Sequence, residues 1–584
     1  MSKIIARSFI HSCYVPDDQK NGDAVIVSEH VYKEDGSVTP NLRILRNPSK
    51  TYYITKKAYR ETHDEKKERE KIEHLDKHTA PVKTFYEEAF RVLNERGATR
   101  NGRFNRESVL KSPYVYGADM DIESLVKIRY KKDFQKSGLD LAPITVGMLD
   151  IEVSISPGSE GTLLCFTVTH ENKVYTAINK KWMYKFQGGK HVEIPEKNLK
   201  ILSEETLVPM IQKAFKEHKG LSLYKDRLPF EFHYFLSDDE VEMIKWGFDK
   251  VHKNKTTFLC GWNIKFDVES LTNILIKHKV DPKTVFSHPS LPPNLQYFRI
   301  YEDMKPVNHF TDKWHWYYNT AYFQFLDLMC LYSRLRTVEG KEYSYALDYI
   351  LKKNDLGGKI HWEDLKEVNN LEGTSEWHRK MASHYFAHYV VYNQWDCISL
   401  QLLEWCNHDV DALRLLSDNT PIAKYPRQST RIRDTLYAEW IEKGYVIGTA
   451  MSNMQDKEDA LIDTEGGAVL SATAVVDCGV KLVEEFPDKR TQIHVFVSDA
   501  DFSQMYPTIM ESGNITKETK ASTVYGVEGD HILVDKEDRI GRLHSYLISQ
   551  SENAYNIGVE FLNLPGLEEL KKGYEDQRKD PEEV

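Results

Sequence analysis

Cysteine is sparse and unpatterned in this chain: seven residues, at 13, 165, 260, 330, 397, 406 and 478, with no Cys-x-x-Cys pair among them. That distribution argues against a disulfide framework and against a cysteine-based zinc site, and the thiols read as reduced. Long hydrophobic runs are missing too. The longest, such as ITVGML at 144–149 and HVFVS at 494–498, fall far short of the roughly 20 apolar residues that cross a bilayer. The N-terminus, MSKIIARSFIHSCYVPDDQK, has no signal-peptide apolar core, so a soluble, cytoplasmic chain with no membrane partner is expected. Excess positive charge is also absent: the net charge is −11 and the pI about 6.1. That average alone does not suggest a nucleic-acid partner. Repeats, low-complexity tracts and flexible linkers do not occur either, so boundaries must be read from changes of pattern.

What is present is ample core material, 41% hydrophobic and 11% aromatic over 584 residues, a length with a prior of roughly four domains. Basic and aromatic residues interleave in RILRNPSKTYYITKKAYR (43–60) and KIRYKKDFQK (127–136), which fits either a phosphate-facing surface or a solvated face. The stretch ETHDEKKEREKIEHLDKH (61–78) mixes both signs and is expected to be an exposed helix with i,i+4 pairs. Residues 1–143 otherwise carry short strand-like runs and read as a mixed N-terminal domain. From 144 the pattern changes to ITVGMLDIEVSIS, GTLLCFTVTH and KVYTAINK, with Pro157-Gly158 marking a hairpin. TFLCGWNIKFDVESLTNILIKH (257–278) reads as a strand entering an amphipathic helix, FQFLDLMCLYSRL as a strand or helix start, and 375–406 as one long helical stretch. Residues 144–407 are therefore expected to form an α/β unit with a mixed central sheet.

Polar residues sit in unusual places within that unit. Asp150 and Glu152 are two apart on an otherwise apolar strand, so both carboxylates leave one face. Asp267 closes the strand-to-helix turn, where Asn263 can bond the backbone, and Tyr392 and Asp396 are four apart on one helix face. Each alone also fits a structural role. Together, four acidic groups from three separated elements suit two divalent cations about 4 Å apart, an arrangement that activates water and stabilises a leaving oxygen. Asp327, in an apolar run, reads as a capping residue rather than a fifth ligand.

This set resembles the DEDD family of 3′–5′ exonucleases: Asp150 and Glu152 match its first motif, Asp267 its second and Asp396 its third. Tyr392 places it in the tyrosine-bearing subgroup, because the histidine of the other subgroup would fall on Val391; His388 then reads as a surface or core histidine. The resemblance implies an RNase H-like domain, two Mg²⁺ ions (Mn²⁺ as a substitute), and a water-orienting role for Tyr392. It assigns Asn263 and Phe266 to the substrate, although Phe266 reads first as core packing and second as a stacking ring.

A second resemblance follows downstream. EYSYALDYILKKNDLGGK (342–359) is similar to the segment before the third exonuclease motif in replicative polymerases of T-even-like bacteriophages. DADFSQMYP (499–507) resembles motif A of family B DNA polymerases. The match implies that Asp501 and Phe502 hold metal and that Tyr506 lies under the incoming sugar; Gln504 and Met505 depart from the usual Ser-Leu. SPYVYGAD (112–119) looks like the family's N-terminal domain, EGGAVL (465–470) like its joining segment, and GLEELKKGYEDQRKDPEEV like the start of the fingers, with Arg578 matching a triphosphate-contacting arginine. The expected layout is an N-terminal domain at 1–143 to which 408–485 returns, an exonuclease at 144–407, a partial palm at 486–565 and the start of the fingers at 566–584. The later fingers and Tyr-Gly-Asp-Thr-Asp-Ser motifs have no match; KETKASTVYG (517–526) lacks the Asn-Ser pair of the first. Synthesis is therefore expected to need a second chain, with primer–template DNA, deoxynucleotides, a sliding clamp and a single-strand-binding protein as further partners in an infected bacterial host. An autonomous nuclease with a relic palm and a non-catalytic message repressor are the alternatives.

Overall fold

A computed structural model of the chain describes residues 2–449, apart from 17–21, 61–66, 96–105, 135–142, 338–339 and 372. The palm and fingers segments, with residues 450–485, lie outside the described residues.

The N-terminal region opens with an antiparallel meander, β1 (Ile4–Val15), β2 (Ala24–Lys33) and β3 (Val38–Arg46). It continues through β4 (Ser49–Thr55), β5 (Arg69–Lys71), β6 (Leu75–Pro81), α1 (Phe85–Glu95), α2 (Arg106–Leu110), β7 (Val115–Tyr116) and α3 (Ile122–Asp133). The helix expected over 61–78 gives way, where the structure describes it, to β5, one turn of 3-10 helix and β6. Opposite charges at helical spacing contribute only about 0.2–0.5 kcal/mol per pair. Pairing with β4 from Leu75 to Pro81, which buries Leu75 and Ala80, outweighs them.

The chain then builds β8 (Val146–Val153), β9 (Leu163–His170), β10 (Lys173–Asn179), a hairpin of β11 (Tyr184–Gln187) and β12 (Lys190–Glu193), α4 (Glu196–Glu217), β13 (Glu231–Ser237) and α5 (Glu240–Lys253). After these come β14 (Phe258–Gly261), α6 (Lys265–Lys277), α7 (Lys283–Phe286), a hairpin of β15 (Phe298–Tyr301) and β16 (Trp316–Asn319), β17 (Gln324–Asp327), α8 (Leu328–Leu335), α9 (Leu347–Lys353), α10 (Ser375–His384) and α11 (Phe386–Asn407). The result is a mixed α/β architecture around a six-stranded mixed sheet in the order β13-β10-β9-β8-β14-β17. β8, β9 and β10 run antiparallel, while β14 runs parallel to β8 and to β17.

Two cores cover the sheet. Leu149 and Ile151 of β8 join the cluster under α5 and α6, and Met148 joins the cluster on the α11 side. Asp150 and Glu152, in phase with Met148, therefore face α11. A Cβ on Gly247 would stand 2.1 Å from the Phe166 ring, so glycine is what lets α5 lie against β9. Every residue of α11 from Tyr389 to Trp405 is buried, the mark of a core helix. Full burial of side chains such as Val390 and Leu402 contributes about 1.5–3 kcal/mol each.

The single helix expected over 375–406 is two. At Tyr385 the backbone leaves the helical region, with φ −128° and ψ 40°, and bridges Lys185 of β11. Beyond α11, α12 (Asp409–Ser417), α13 (Gln428–Glu442) and β18 (Tyr445–Ile447) run back to the N-terminal region, where β18 pairs with β5. Among the described residues no helix is long and apolar enough to cross a membrane.

Candidate active site

β14 pairs with β8 only as far as Cys260 opposite Met148. The Ile151 N–H, past that point, donates instead to Asp267 Oδ1 at 3.3 Å, which ties the first turn of α6 to the middle of β8. The turn between β14 and α6 depends on Asn263, whose φ of +61° is left-handed, a conformation asparagine tolerates better than most residues. The Asn263 N–H is held by Asp327. Asp327 also caps α8 by accepting the Cys330 N–H at 3.0 Å, and burial pushes its carboxyl up to about 6. Its contacts are those of an anchor for two helix starts.

α11 supplies the opposite wall. Asn393 Nδ2 donates to Asp150 Oδ2 at 2.6 Å, and the Tyr389 hydroxyl donates to Glu152 Oε2 at 2.5 Å. His378 Nδ1 lies 2.6 Å from the same hydroxyl. One turn further, Lys359 Nζ donates to Asp396 Oδ2 at 2.6 Å and to the Tyr392 hydroxyl at 2.7 Å. Lys359 arrives on a Gly357-Gly358 turn with φ values of +87° and +136°, and a Cβ on Gly358 would stand 2.6 Å from Asp348 Oδ1. Asp348 accepts the Lys359 N–H at 2.8 Å, while Trp395 Nε1 donates to the Gly358 carbonyl at 2.8 Å. The lysine is thus fixed from both sides of its turn.

Electrostatics set this pocket apart. Burial, and then the charge of Asp396, pushes Asp150 up to about 8. Glu152 and Asp267 are raised by burial and then by Asp150, and Asp396 is raised by burial against the pull of Lys359. The four carboxylates therefore titrate as a coupled set. Burial lowers Lys359, but Asp396 and Tyr392 more than reverse this, so the ammonium persists. Tyr392 is raised by burial and by Asp396; it stays protonated, and since its oxygen accepts from Lys359, its own proton is free to be donated elsewhere.

Among the described residues, no group of three or more His, Cys, Asp or Glu side chains is spaced to hold a metal ion. Asp150, Glu152 and Asp396 are each turned to a donor on a neighbouring side chain. The donor chemistry nevertheless suits a hard divalent cation: four carboxylates, and a buried Asp396 Oδ1 without any hydrogen-bond donor. No family model matches the chain, and no curated protein matches it either.

Asp150, Glu152, Asp267, Tyr392 and Asp396 thus converge, while Asn263 sits in the turn between β14 and α6. Phe266 departs from the core position expected of it: it is 52% exposed. The buried positions of α6 are Asp267, Val268, Leu271, Ile274 and Leu275, so the helix phase turns Phe266 outward beside Asp267. His388 packs edge-on against Trp362 at 4.7 Å. Asp501, Phe502, Tyr506 and Arg578 lie outside the described residues. Sequence reasoning missed Lys359, Tyr389, Asn393 and His378. Tyr389, Asn393 and Asp396 follow the i, i+4, i+7 spacing of one helix face, which was a usable signal. Lys359 and His378 come from other segments and left none.

Proposed function

We propose that Asp150, Glu152, Asp267 and Asp396 bind divalent cations, and that residues 144–407 are an RNase H-like 3′–5′ DNA exonuclease of the DEDD type with Tyr392 in its third motif. The observation that carries this reading is the charge imbalance: four carboxylates from three elements, Asp267 and Asp396 buried and Asp150 and Glu152 partly buried, have one lysine among them. Such a cluster repels itself unless cations neutralise it. Mg²⁺, or Mn²⁺ in its place, would lower the pKa of a water and stabilise charge on the phosphodiester when bound by these groups.

The chain's own residues do the positioning. Tyr389 and Asn393 hold Glu152 and Asp150 from α11, so both carboxylates are oriented before substrate arrives. Tyr392 offers its proton to the attacking water or to a phosphate oxygen while Lys359 holds its hydroxyl. Lys359 also supplies positive charge beside the phosphodiester, where negative charge grows in the transition state. The exposed Phe266 ring, next to Asp267, is available to stack on a terminal base.

In the larger reading this exonuclease is the proofreading part of a family B polymerase of T-even-like phages, acting on primer–template DNA and deoxynucleotides with a second chain. That part rests on the Asp501-to-Tyr506 segment as sequence. A 5′-labelled primer–template incubated with the chain, Mg²⁺ and four deoxynucleotides tests both levels. Shortening from the 3′ end is expected. A primer that stays intact overturns the exonuclease, and one that lengthens overturns the need for a second chain.

A further inference from the structure

A second cavity, of about 490 Å³, opens between the β15–β16 hairpin, α8 and the segment leading into α13. It shares no residue with the carboxylate site, and its volume falls within the roughly 300–1,000 Å³ of small-molecule sites. Its walls are aromatic: Tyr301, Trp314, Trp316 and Tyr318 line it. Trp314 and Trp316 are buried in the wall, whereas Tyr301 is 42% exposed, with the Arg427 guanidinium 5.7 Å from its ring centroid.

The cations of this cavity are incompletely matched. Lys424 is taken by Asp121 at 2.9 Å, and Asp312 by Lys341. Asp303 accepts backbone N–H groups of Lys305 and Trp314, at 3.3 and 3.4 Å. Lys305, Arg334 and Arg427, also in the lining, make no ion pair among the described residues. Arg427 Nη2 donates to the Tyr301 hydroxyl at 3.1 Å, which places a guanidinium beside the exposed ring. Two buried donors are left without acceptors: Trp314 Nε1, on a residue only 6% exposed, and Arg334 Nε. Buried donors without acceptors cost about 1–3 kcal/mol each. A ligand bearing anionic oxygens would match the unpaired guanidinium groups of the lining, and a planar ring would cover the exposed part of Tyr301.

We propose that this cavity binds a nucleotide, its base stacked on Tyr301 and its phosphate held by Arg334 and Arg427. Guanidinium groups suit phosphate through charge-assisted hydrogen bonds, and aromatic faces accept any base. The same chemistry arrives as a free mononucleotide or as one residue of a single strand.

Calorimetric titration of the whole chain in EDTA, which separates this site from any divalent-dependent one, tests the proposal with deoxyadenosine 5′-monophosphate, deoxyadenosine and a 5′-phosphorylated octathymidylate. Saturable binding of the monophosphate is expected, at least about tenfold tighter than the nucleoside, with Arg427→Gln and Tyr301→Ala each weakening it about tenfold. Both substitutions lie at exposed positions, and thermal melting confirms that the variants fold. Equal affinity for mononucleotide and octamer assigns a free nucleotide; an octamer about tenfold tighter, and sensitive to the same substitutions, assigns a strand. Absence of saturable binding by both, or binding unchanged in both variants, overturns the site.

Discussion

Among the described residues, carboxylates cluster beside α13 and at the middle of β8. Beside α13, Asp434 accepts from Arg433 at 2.7 Å and from Ser124 at 2.8 Å. Asp121 faces Lys424 at 2.9 Å and Arg433 at 3.2 Å, and Glu123 accepts the Tyr14 N–H at 3.1 Å. Each of these acids has a cation or a fixed donor: the half-exposed Asp121 ends up below its ordinary range, while the buried Glu123 and Asp434 are raised by burial against the pull of Lys424 and Arg433. At β8, Asp150, Glu152 and Asp267 have only neutral donors, Asn393, Tyr389 and the Ile151 N–H, and Lys359 pairs with Asp396; all four acids are raised. Beside α13 two cations, Lys424 and Arg433, pair with these three acids, whereas at β8 Lys359 pairs with one of four. That difference in pairing separates a network that joins segments from the pocket for which cation binding is proposed.

The largest effect expected from breaking this contrast is on activity. Asp150→Ala combined with Glu152→Ala should reduce Mg²⁺-dependent digestion of a 3′ end by about a thousandfold, the loss of several kcal/mol of transition-state stabilisation. Digestion of an end-labelled strand measures this, and a rate within tenfold of the parent chain would sink the assignment. Beside α13 the effect should fall on stability instead. Asp434→Asn leaves Arg433 short of its carboxylate and should cost about 3 kcal/mol in urea unfolding, with digestion of the folded protein unchanged.

Asp150→Asn sharpens the contrast by its opposite sign. In EDTA it should stabilise the chain by a few kcal/mol at neutral pH, because the parent chain must protonate Asp150 to fold, at about 1.4 kcal/mol per pH unit between about 4 and 7. The pH dependence follows from linkage. Asp150 titrates near 8 when folded and near 4 when unfolded, so its favourable contribution is complete below about 4 and lost as pH rises towards 8. The stability difference between Asp150→Asn and the parent chain should therefore be near zero at pH 4 and grow until about pH 8. A difference that is flat with pH would show that Asp150 is not raised. The smallest expected effect is that of Tyr389→Phe: one hydrogen bond to Glu152 is lost, for about a fivefold slower digestion at about 1 kcal/mol.

Much of the acidic site was legible in the sequence because carboxylates interrupt apolar elements at readable spacings. Two-residue spacing on β8 put Asp150 and Glu152 on one face, and four-residue spacing on α11 did the same for Tyr392 and Asp396. Phe266 misled because its apolar character suggested core, while the α6 phase that buries Asp267 and Val268 turns it out. The 61–78 segment misled because charge patterning is a weak energetic signal beside strand pairing. Tyr385 shows the limit from the other side. Nothing local announces a break inside an otherwise helical run, and a backbone partner on β11 is found there.

By itself, the sequence determined the strand and helix periodicities of the mixed sheet and the identity of the acidic residues, since both follow from local spacing. Only the tertiary structure decided which cation meets which carboxylate. Lys359 reaches Asp396 from 37 residues away, through a turn whose position depends on Asp348 and Trp395, and Asn393 meets Asp150 across 243 residues. Pairings at that separation depend on how the sheet and helices pack. Packing set the pairing in each cluster, and with it the difference between the network beside α13 and the pocket at β8.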